Sequence, residues 1–447
     1  MTLGATIFAL ASGPGRAGVA VLRISGPEAG PVVEALTAKA LPEPRRAARR
    51  RFLDAAGEII DDGLLLWFPA PASFTGEDVA ELQVHGGTAI VAALAETLSA
   101  LGLRHASPGD FTRRAFENGK LDLTAAEAIA DLVDAETEGQ RRQALRQMQG
   151  ELAALYDGWR AALLGILALI EAEIDFPDED LPDALAAQAA PEIAALAAAM
   201  NAHLADHGRG ERVRDGYRIA ILGAPNAGKS SLLNALARRE AAIVSATPGT
   251  TRDIVEVRLV LAGFPVWIAD TAGLREAADA IESEGVRRAL ARADEADLRL
   301  ALVEGAATEL PQGLEERLTA RDVLIISKSD LDTDPAQRAV ASVRAAPLYI
   351  STKTGAGVDD LLAQISARVV ADLTQSEAPV LTRLRHREAV TDARDNLQRA
   401  QHAFSTGGAE FVAEDVRLAA RALGRLTGRI DVEDVLGEIF SSFCIGK

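Results

Sequence analysis

The stretch "YRIAILGAPNAGKSSLLNAL", residues 217–236, constrains the fold of this chain more than any other. It reads as a β-strand, a glycine-rich turn and the start of a helix. Gly223, Gly228, Lys229 and Ser230 fit the pattern G-x-x-x-x-G-K-[ST]. In such a loop, backbone N–H groups and the helix N-terminus surround phosphate groups. The stretch therefore predicts an α/β domain that binds a nucleoside triphosphate.

Phosphate and Mg²⁺ chemistry is predicted for this P-loop, residues 223–230, and for a later strand end. Lys229 is expected to reach the β- and γ-phosphates, and the Ser230 hydroxyl to ligate Mg²⁺. Asp270 begins "DTAG", directly after the apolar run "VWIA". We expect Asp270 to hold Mg²⁺ through water, with the Gly273 N–H facing the γ-phosphate.

A loop rich in glycine and hydroxyl groups, "SATPGTTRD" (residues 245–253), lies between these two motifs. Thr251 can complete the Mg²⁺ shell. Contacts with the γ-phosphate order such loops and hydrolysis releases them, so the sequence predicts a nucleotide-dependent switch.

A monovalent-cation site is predicted beside the phosphates. Asn226 offers a neutral oxygen there, and Ser245, Thr247 and Thr250 offer carbonyl and hydroxyl oxygens. Together they can form a cage for K⁺, which would stabilise transition-state charge where some P-loop enzymes use an arginine finger.

The residue that orients the attacking water is not obvious. Leu274 follows Gly273, at the place where Ras-like GTPases carry a water-orienting glutamine. Glu282, in "LREAADAIESEG", is the nearest acid in a plausible switch and the candidate catalytic residue. The alternative interpretation of Glu282 is an acid on the surface of a helix.

Guanine rather than adenine is indicated by two short segments after later strands. Asp330 closes "SKSD", behind the apolar run "VLII", and can accept both guanine N1–H and N2–H₂. Lys328 can lie along the base plane, and "STKTG" (residues 351–355) can present backbone N–H to guanine O6. The predicted GTP-binding residues are Asn226, Ala227, Gly228, Lys229, Ser230, Ser231, Ser245, Ala246, Thr247, Pro248, Gly249, Thr250, Thr251, Asp270, Thr271, Ala272, Gly273, Ser327, Lys328, Asp330, Ser351, Thr352 and Lys353.

The pattern of predicted helices and strands changes three times along the chain, which predicts a multidomain α/β protein. Residues 1–118 alternate short apolar runs with one helix and read as a small α+β domain. Residues 119–212 and 372–447 read as helical, and 213–371 alternate strands and helices in the pattern of a mostly parallel sheet. We therefore predict a discontinuous all-α domain into which the Ras-like P-loop G domain is inserted.

Composition limits the partners and the compartment. A formal net charge of −18 makes the chain a poor general binder of nucleic acid, so any RNA contact has to be local or supplied by a partner. The local candidate is "RRAARRR", residues 45–51, whose alternative interpretation is a solvated turn or strand edge. The single cysteine indicates a reducing compartment. We expect no signal peptide, a cytoplasmic location, and a buried helix rather than a membrane span at residues 161–170.

Eight stretches, in this order along the chain, resemble the tRNA-modification GTPase family called MnmE or TrmE. They are "PGRAGVAVLRISG", "SFTGEDVAELQVHGG", "KLDLTAAEAIADLVDA", "IDFPDED", "GAPNAGKSSLLNAL", "TPGTTRD", "DTAGLRE" and "FCIGK". The resemblance implies a homodimer whose N-terminal domain dimerises and binds a tetrahydrofolate one-carbon carrier. It also implies a G domain that self-dimerises with K⁺, and a flavin- and NADH-dependent partner of the MnmG or GidA type. Together they would install an aminomethyl-type group at C5 of the wobble uridine of certain tRNAs.

The resemblance also assigns residues. Folate contacts carry over to Arg23, Glu81, Lys120 and Lys447, and the role of orienting or activating water carries over to Glu282. A cation suits the folate carboxylates, and a carboxylate suits the paired N–H donors of the pterin.

The chain departs from the family pattern at the base-recognition motifs. Ser327 stands where an asparagine is usual, and the shorter side chain makes fewer bonds to the base and the P-loop. Thr352 replaces a small alanine. Guanine specificity is expected to rest on Asp330.

The tail "FSSFCIGK" holds the only cysteine, Cys444. The segment before it predicts an amphipathic helix with Val432, Val435, Ile439 and Phe443 on one face. That helix would aim Cys444 toward the folate pocket. The alternative interpretation is a buried structural cysteine, and a prenylation signal is disfavoured because the last residue is a lysine.

Two other functions remain open from the sequence. Ribosome-assembly GTPases related to Era and Der share the G-domain motifs. A pure switch would recruit partners and catalyse only hydrolysis.

Overall fold

The computed structural model divides the protein into two compact units, which are described separately. It describes residues 4–175, 185–239, 256–270, 294–310, 318–341, 346–374, 379–406, 408–430, 433–441, 443 and 445–446. The first unit comprises Met1–Val133, Arg146–Ala198 and Ala389–Lys447. The second unit comprises Asp134–Leu145 and Ala199–Glu388.

The first unit contains a six-stranded sheet with the order β3-β4-β5-β2-β1-β6. Its strands are β1 Ile7–Leu10, β2 Ala17–Ser25, β3 Ala48–Leu53, β4 Ile59–Phe68, β5 Val79–Gly86 and β6 Arg104–His105. All neighbours pair antiparallel except β1 and β6, which are parallel. The "RRAARRR" run thus ends in the edge strand β3, where Arg49 pairs with Asp62 of β4. This is the strand-edge interpretation, and charged side chains suit an exposed edge.

Two faces of this sheet are buried differently. Leu22, Ile24 and Leu82 lie in the main core of the unit. Ile7 and Ala9 of β1 pack with Phe111 in a smaller cluster. Because side chains alternate between the faces of a strand, Arg23 of β2 points away from Leu22 and Ile24.

The helices of the first unit include one long apolar helix, Glu151–Asp175, which packs along Ala409–Leu426. It extends beyond the apolar run 161–170 on both sides. By length and composition it is the one described helix that could cross a membrane, a test that buried core helices also pass. Its buried residues recur at helical spacing and include Tyr156, Leu163 and Ile170. The other helices of this unit are Ala29–Thr37, Thr88–Ala100, Asp110–Glu117, Leu123–Val133 and Glu433–Ser441.

The second unit contains a six-stranded sheet with the order β12-β11-β10-β7-β9-β8. Its strands are β7 Tyr217–Gly223, β8 Glu256–Leu261, β9 Phe264–Asp270, β10 Leu298–Glu304, β11 Val323–Ser327 and β12 Leu348–Tyr349. All pairs are parallel except the β8–β9 hairpin. Its helices are Arg209–Asp215, Lys229–Arg239, Asp334–Ala339 and Val358–Leu373. Three more helices, Glu138–Met148, Leu185–Leu204 and Leu384–Thr406, contain residues of both units.

The short segment Asp134–Leu145 belongs to the second unit because it is bonded to the β8–β9 hairpin. The Gly139 N–H donates to the Gly263 carbonyl at 2.9 Å, and Glu136 forms an ion pair with Arg258 of β8. The Arg258 guanidinium also lies 5.1 Å from the ring centre of Trp267 on β9. The hairpin is therefore fixed to this segment by backbone, charge and aromatic contacts.

The predicted fold class is confirmed: an N-terminal α+β part, helical segments on both sides, and an inserted α/β part with a mostly parallel sheet. The apolar runs named from the sequence of the α/β part, "YRIAILG", "VWIA" and "VLII", lie in strands β7, β9 and β11. The bounds of the four segments predicted from the sequence remain a proposal.

Candidate functional site

The candidate nucleotide site lies at one edge of the second sheet, where parallel strands end together. Gly223 pairs in register with Leu302, Ile221 with Asp270, and Glu304 with Ser327. The P-loop, the backbone of Asp270 and the start of the "SKSD" segment therefore lie at the carboxyl ends of β7, β9 and β11, on the same side of the sheet. In open α/β sheets, ligands bind at the carboxyl ends of the strands.

Backbone geometry shapes the P-loop for close approach to a ligand. Gly223 has φ 154° and Gly228 has φ 96°, and a Cβ on Gly223 would lie 2.5 Å from the Leu302 carbonyl oxygen. Asn226 has φ 63° and an exposed side chain. Asparagine tolerates this left-handed conformation better than most residues. The loop then enters the helix Lys229–Arg239, whose first N–H groups point at the same place.

Lys229 is the buried cation of the P-loop, with 5% of its surface exposed. Its ammonium donates to the carbonyls of Gly223, at 2.8 Å, and Ala224, at 2.7 Å. The backbone of the P-loop thus binds the side chain of its own lysine. Three donors on one ammonium allow it to keep part of this contact while a phosphate oxygen is bound.

Ser327 connects the base-recognition segment to the P-loop. Its hydroxyl donates to the Ala227 carbonyl at 2.6 Å and lies 3.4 Å from the Val303 carbonyl, with 3% of the residue exposed. The sequence predicted fewer bonds to the base and the P-loop than an asparagine would make. The bond to the P-loop is present.

Asp330 is held by the neighbouring segment. The Ser351 hydroxyl donates to Asp330 Oδ1 at 2.7 Å, and Lys353 Nζ lies 3.9 Å from Oδ2. The Ser351 hydrogen bond is the main cause that lowers the pKa of Asp330 below its ordinary value, with smaller contributions from Lys353 and Lys328. An ionised carboxylate with oriented oxygens suits the two N–H groups of guanine. Ser351 itself is buried, whereas Thr352 beside it is partly exposed.

One partner at this edge was not anticipated from the sequence. Lys328 has φ 56°, and its Nζ forms an ion pair with Glu304 of β10 at 2.6 Å. The register of β10 against β11 places Glu304 beside Ser327. No sequence motif marks Glu304, because only the strand pairing brings it here.

Much of the predicted switch chemistry falls outside the described residues. These predicted site residues are Ser245, Ala246, Thr247, Pro248, Gly249, Thr250, Thr251, Thr271, Ala272, Gly273, Glu282, Cys444 and Lys447. Asn226, Ser230 and Ser231 of the P-loop are described and exposed. Of Asp270 the structure gives the backbone, at the end of β9.

Two of the predicted folate residues meet in the first unit. Arg23 of β2 and Glu81 of β5 are register partners, and Arg23 Nε and Nη2 donate to Glu81 Oε1 at 3.1 and 2.8 Å. The side chains of both are 20% exposed. The guanidinium also lies over Phe74, at 5.5 Å from the ring centre, and Phe111, at 5.8 Å. The two aromatic partners were not anticipated from the sequence.

Lys120, the third predicted folate residue, lies on the surface of the same unit. Its Nζ donates to the Pro71 carbonyl at 3.0 Å. Nearby, Asn118 Nδ2 donates to the Thr75 carbonyl at 2.7 Å. Both bonds fix the loop that carries Phe74, so Lys120 and Arg23 are connected through one loop.

The segment before the tail is packed down, as predicted, and two of the four predicted residues take part. Leu436, Phe440 and Phe443 are buried with Leu123, and Ile439 is partly buried. The predicted stripe named Ile439 and Phe443 but missed Leu436 and Phe440, and the side chains of Val432 and Val435 lie outside the described residues. Leu436, Ile439 and Phe440 are three and four residues apart within the helix Glu433–Ser441, which is the helical repeat, and Phe443 follows the end of that helix.

The end of the tail reaches strand β1. Gly446 has φ 94°, and a Cβ there would clash with the Leu10 carbonyl oxygen and the Ala11 Cα. Leu10 follows Ala9, the register partner of Arg23. Gly446 therefore lies beside the end of β1, and β1 pairs with β2, the strand that carries Arg23.

Two family models match this chain. The model described as "GTP-binding protein TrmE N-terminus" matches residues 6–120. The model described as "MnmE helical domain" matches residues 123–444.

Full-length relatives agree with these matches. Proteins described as "tRNA modification GTPase MnmE" are 58% identical in Paramagnetospirillum magneticum, 57% in Phenylobacterium zucineum and 56% in Parvibaculum lavamentivorans. Each alignment covers 99% of this chain and 99–100% of the relative. Among solved structures, the G domain of the T. maritima FeoB iron transporter covers 34% of this chain at 25% identity, with a TM-score of 0.26.

Proposed function

Because this chain belongs to the MnmE family of tRNA modification GTPases, we propose that its GTP hydrolysis is K⁺-dependent and serves C5 modification of the wobble uridine of certain tRNAs. The added group would be carboxymethylaminomethyl or aminomethyl. The proposal includes a homodimer, a flavin- and NADH-dependent partner of the MnmG type, and a tetrahydrofolate one-carbon donor. The location would be cytoplasmic.

One observation carries the nucleotide part of this proposal. The Ser327 hydroxyl bonds the P-loop at Ala227, and Asp330, three residues further on, is oriented by Ser351. The predicted phosphate-binding loop and the predicted guanine-binding carboxylate are thus held by hydrogen bonds at the same end of the sheet. This arrangement supports GTP over ATP, because adenine lacks the paired N–H donors that a carboxylate accepts.

Different residues of the chain would have different roles in GTP hydrolysis. The water oxygen would form a bond to the γ-phosphorus while the bond from that phosphorus to the bridging β-phosphate oxygen breaks. Glu282 would take the proton that the water releases. Lys229 would hold the β- and γ-phosphates, and the P-loop N–H groups would stabilise the charge left on the β-phosphate.

Two cations fit the donors that the chain offers. Ser230 and Thr251, with Asp270 through water, would hold Mg²⁺. Asn226, Ser245, Thr247 and Thr250 would hold K⁺. Neutral and carboxylate oxygens are the ligands that such hard cations prefer, and the exposed Asn226 and Ser230 side chains are oxygen donors at the P-loop. Bound there, both ions would neutralise developing phosphate charge.

The first unit would bind the folate and present the tail. Glu81, held by Arg23, would meet the pterin N–H donors, with Lys120 at the rim and Lys447 and Cys444 delivered by the tail. GTP hydrolysis would drive G-domain dimerisation and the conformational change that couples the two units. An Era- or Der-like function is not supported, since residues 6–120 match the TrmE N-terminal model.

Reconstitution tests this function. The purified chain, the flavin-dependent partner, unmodified tRNA, a one-carbon tetrahydrofolate, an amine donor, NADH, K⁺ and GTP should yield the modified wobble uridine. Omitting the tetrahydrofolate, or replacing GTP by GDP, should each stop the reaction. Equal product without either one would overturn the proposal.

A further inference from the structure

The hydroxyl of Ser327 donates its hydrogen bond within the protein, and this limits the contacts that Ser327 can make with the base. It ends β11 and lies against two backbone carbonyls, Ala227 at 2.6 Å and Val303 at 3.4 Å. A hydroxyl carries one proton, and both neighbours are acceptors. The shorter bond takes that proton, so Ser327 has none left to donate elsewhere.

Guanine presents two kinds of groups along its outer edge. N1–H and N2–H₂ are donors, which Asp330 can accept, whereas O6 and N7 are acceptors. A hydroxyl could bond N7 only by donating to it. The sequence predicts that backbone N–H groups of residues 351–355 bind O6. N7 adjoins O6 and would then lie toward the end of β11, where Ser327 donates instead to Ala227.

We propose that Ser327 is a positioning residue: it fixes the P-loop through the Ala227 carbonyl, and this chain reads guanine without a side-chain hydrogen bond to N7. The inference rests on the proposed GTP site. The ligand class is a purine nucleoside triphosphate with the 6-oxo-2-amino edge of guanine, and the site is tolerant at ring position 7.

Burial explains why the P-loop bond takes precedence. Ala227 is 1% exposed and Ser327 is 3% exposed, so an Ala227 carbonyl without a donor would be cut off from water. Leaving a buried acceptor unpaired costs more than making the bond to a base gains, because the base also bonds well to water. A longer amide side chain carries two donors and can serve both acceptors at once.

A nucleotide analogue tests the inference directly. In 7-deaza-GTP a C–H group replaces N7, and the N1, N2 and O6 edge is unchanged. The wild-type chain should bind GTP and 7-deaza-GTP equally, within about twofold. Ser327→Asn should prefer GTP over 7-deaza-GTP by about two- to tenfold, the worth of one hydrogen bond.

Two further variants separate positioning from folding. Ser327→Ala should weaken both nucleotides by the same factor, since it removes the Ala227 bond and changes nothing at N7. Ser327→Thr keeps the hydroxyl and should restore wild-type affinity for both.

The outcomes are distinct. A wild-type preference for GTP over 7-deaza-GTP of about fivefold or more would overturn the inference, as would a Ser327→Asn variant with no preference. Wild-type binding of ATP as tight as that of GTP would contradict the guanine site itself, and the inference with it.

Discussion

The Ser351 hydroxyl donates to Asp330 Oδ1 at 2.7 Å, across 21 residues of chain. The two residues follow neighbouring strands, β12 and β11, so the bond depends on the parallel pairing of Ile326 with Tyr349. It orients one oxygen of the carboxylate and lowers its pKa. Base recognition is thus a property of two strand ends together.

The base specificity can be changed by one atom. Asp330→Asn should exchange preference for GTP for preference for XTP, because the amide donates to the 2-oxo group of xanthine where the carboxylate accepted from N2–H₂. Competition between GTP and XTP measures the change. Asp332→Asn, the same substitution at an exposed neighbour, is the control. Unchanged selectivity in Asp330→Asn would show that Asp330 does not read the base.

The lowered pKa of Asp330 gives this site a pH expectation. The carboxylate is ionised in the folded chain at every pH above its ordinary value of about 3.8, so the preference for GTP over ATP should be the same at about pH 8 and about pH 5. A preference that falls between those two values would indicate a partly protonated carboxylate.

The sequence predicted most buried strands of the second sheet, because each is a short apolar run between turn residues. For β3, "ARRRFL", it left a strand edge as one interpretation beside a solvated turn and a local RNA contact, because three arginines hide the alternation. That strand is held by pairing with β4 and by the Arg49–Asp62 bonds. Edge strands of this kind depend on a partner that local sequence does not reveal.

Residues of the site were predictable one by one but not in pairs. The sequence predicts Arg23 and Glu81 individually, but their contact depends on the register of β2 with β5, because the two residues are 58 positions apart in the chain. Glu304 went unnoticed for the same reason. The hydroxyl of Ser327 could turn to the base or to the P-loop, and packing at the end of β11 decides between them.

Hydrolysis should depend on the cation and on one acid. We expect fast GTP turnover in K⁺ and slow turnover in Na⁺ at equal ionic strength, because Na⁺ is too small for the predicted cage.

Glu282→Ala should lose about 10²- to 10⁴-fold in GTP turnover and keep nucleotide binding. Glu309→Ala is a control at an acid with no predicted role. Equal turnover in the two salts would rule out the cage, and an active Glu282→Ala would rule out the base.

The Arg23–Glu81 pair should act as one unit in folate binding. Arg23→Ala and Glu81→Ala should each weaken binding of 5-formyltetrahydrofolate by about tenfold, and the double variant should bind little worse than the weaker single variant. Arg49→Ala breaks another arginine–carboxylate pair of the same sheet and serves as the control. Calorimetric titration gives the three affinities. Strictly additive losses would mean that the two residues contact folate independently of each other.

The end of the tail should be sensitive to one methyl group. Gly446→Ala would press a Cβ into the Leu10 carbonyl and displace the last residues. We expect loss of wobble-uridine modification with K⁺-dependent GTP hydrolysis near normal, and the same from Cys444→Ser. Gly437→Ala is the matched control, since a Cβ there meets nothing within 4 Å. A Gly446→Ala strain with normal modification would separate the tail from the chemistry.

The most direct measurement is wobble-uridine nucleoside analysis in a strain that lacks the gene for this chain. The modified nucleoside should be absent, should return with the wild-type gene, and should stay absent with Lys229→Ala, which removes the ammonium of the P-loop. Modified nucleoside at the wild-type level in the deletion strain, or in the strain that carries Lys229→Ala, would contradict a GTPase that acts in tRNA modification.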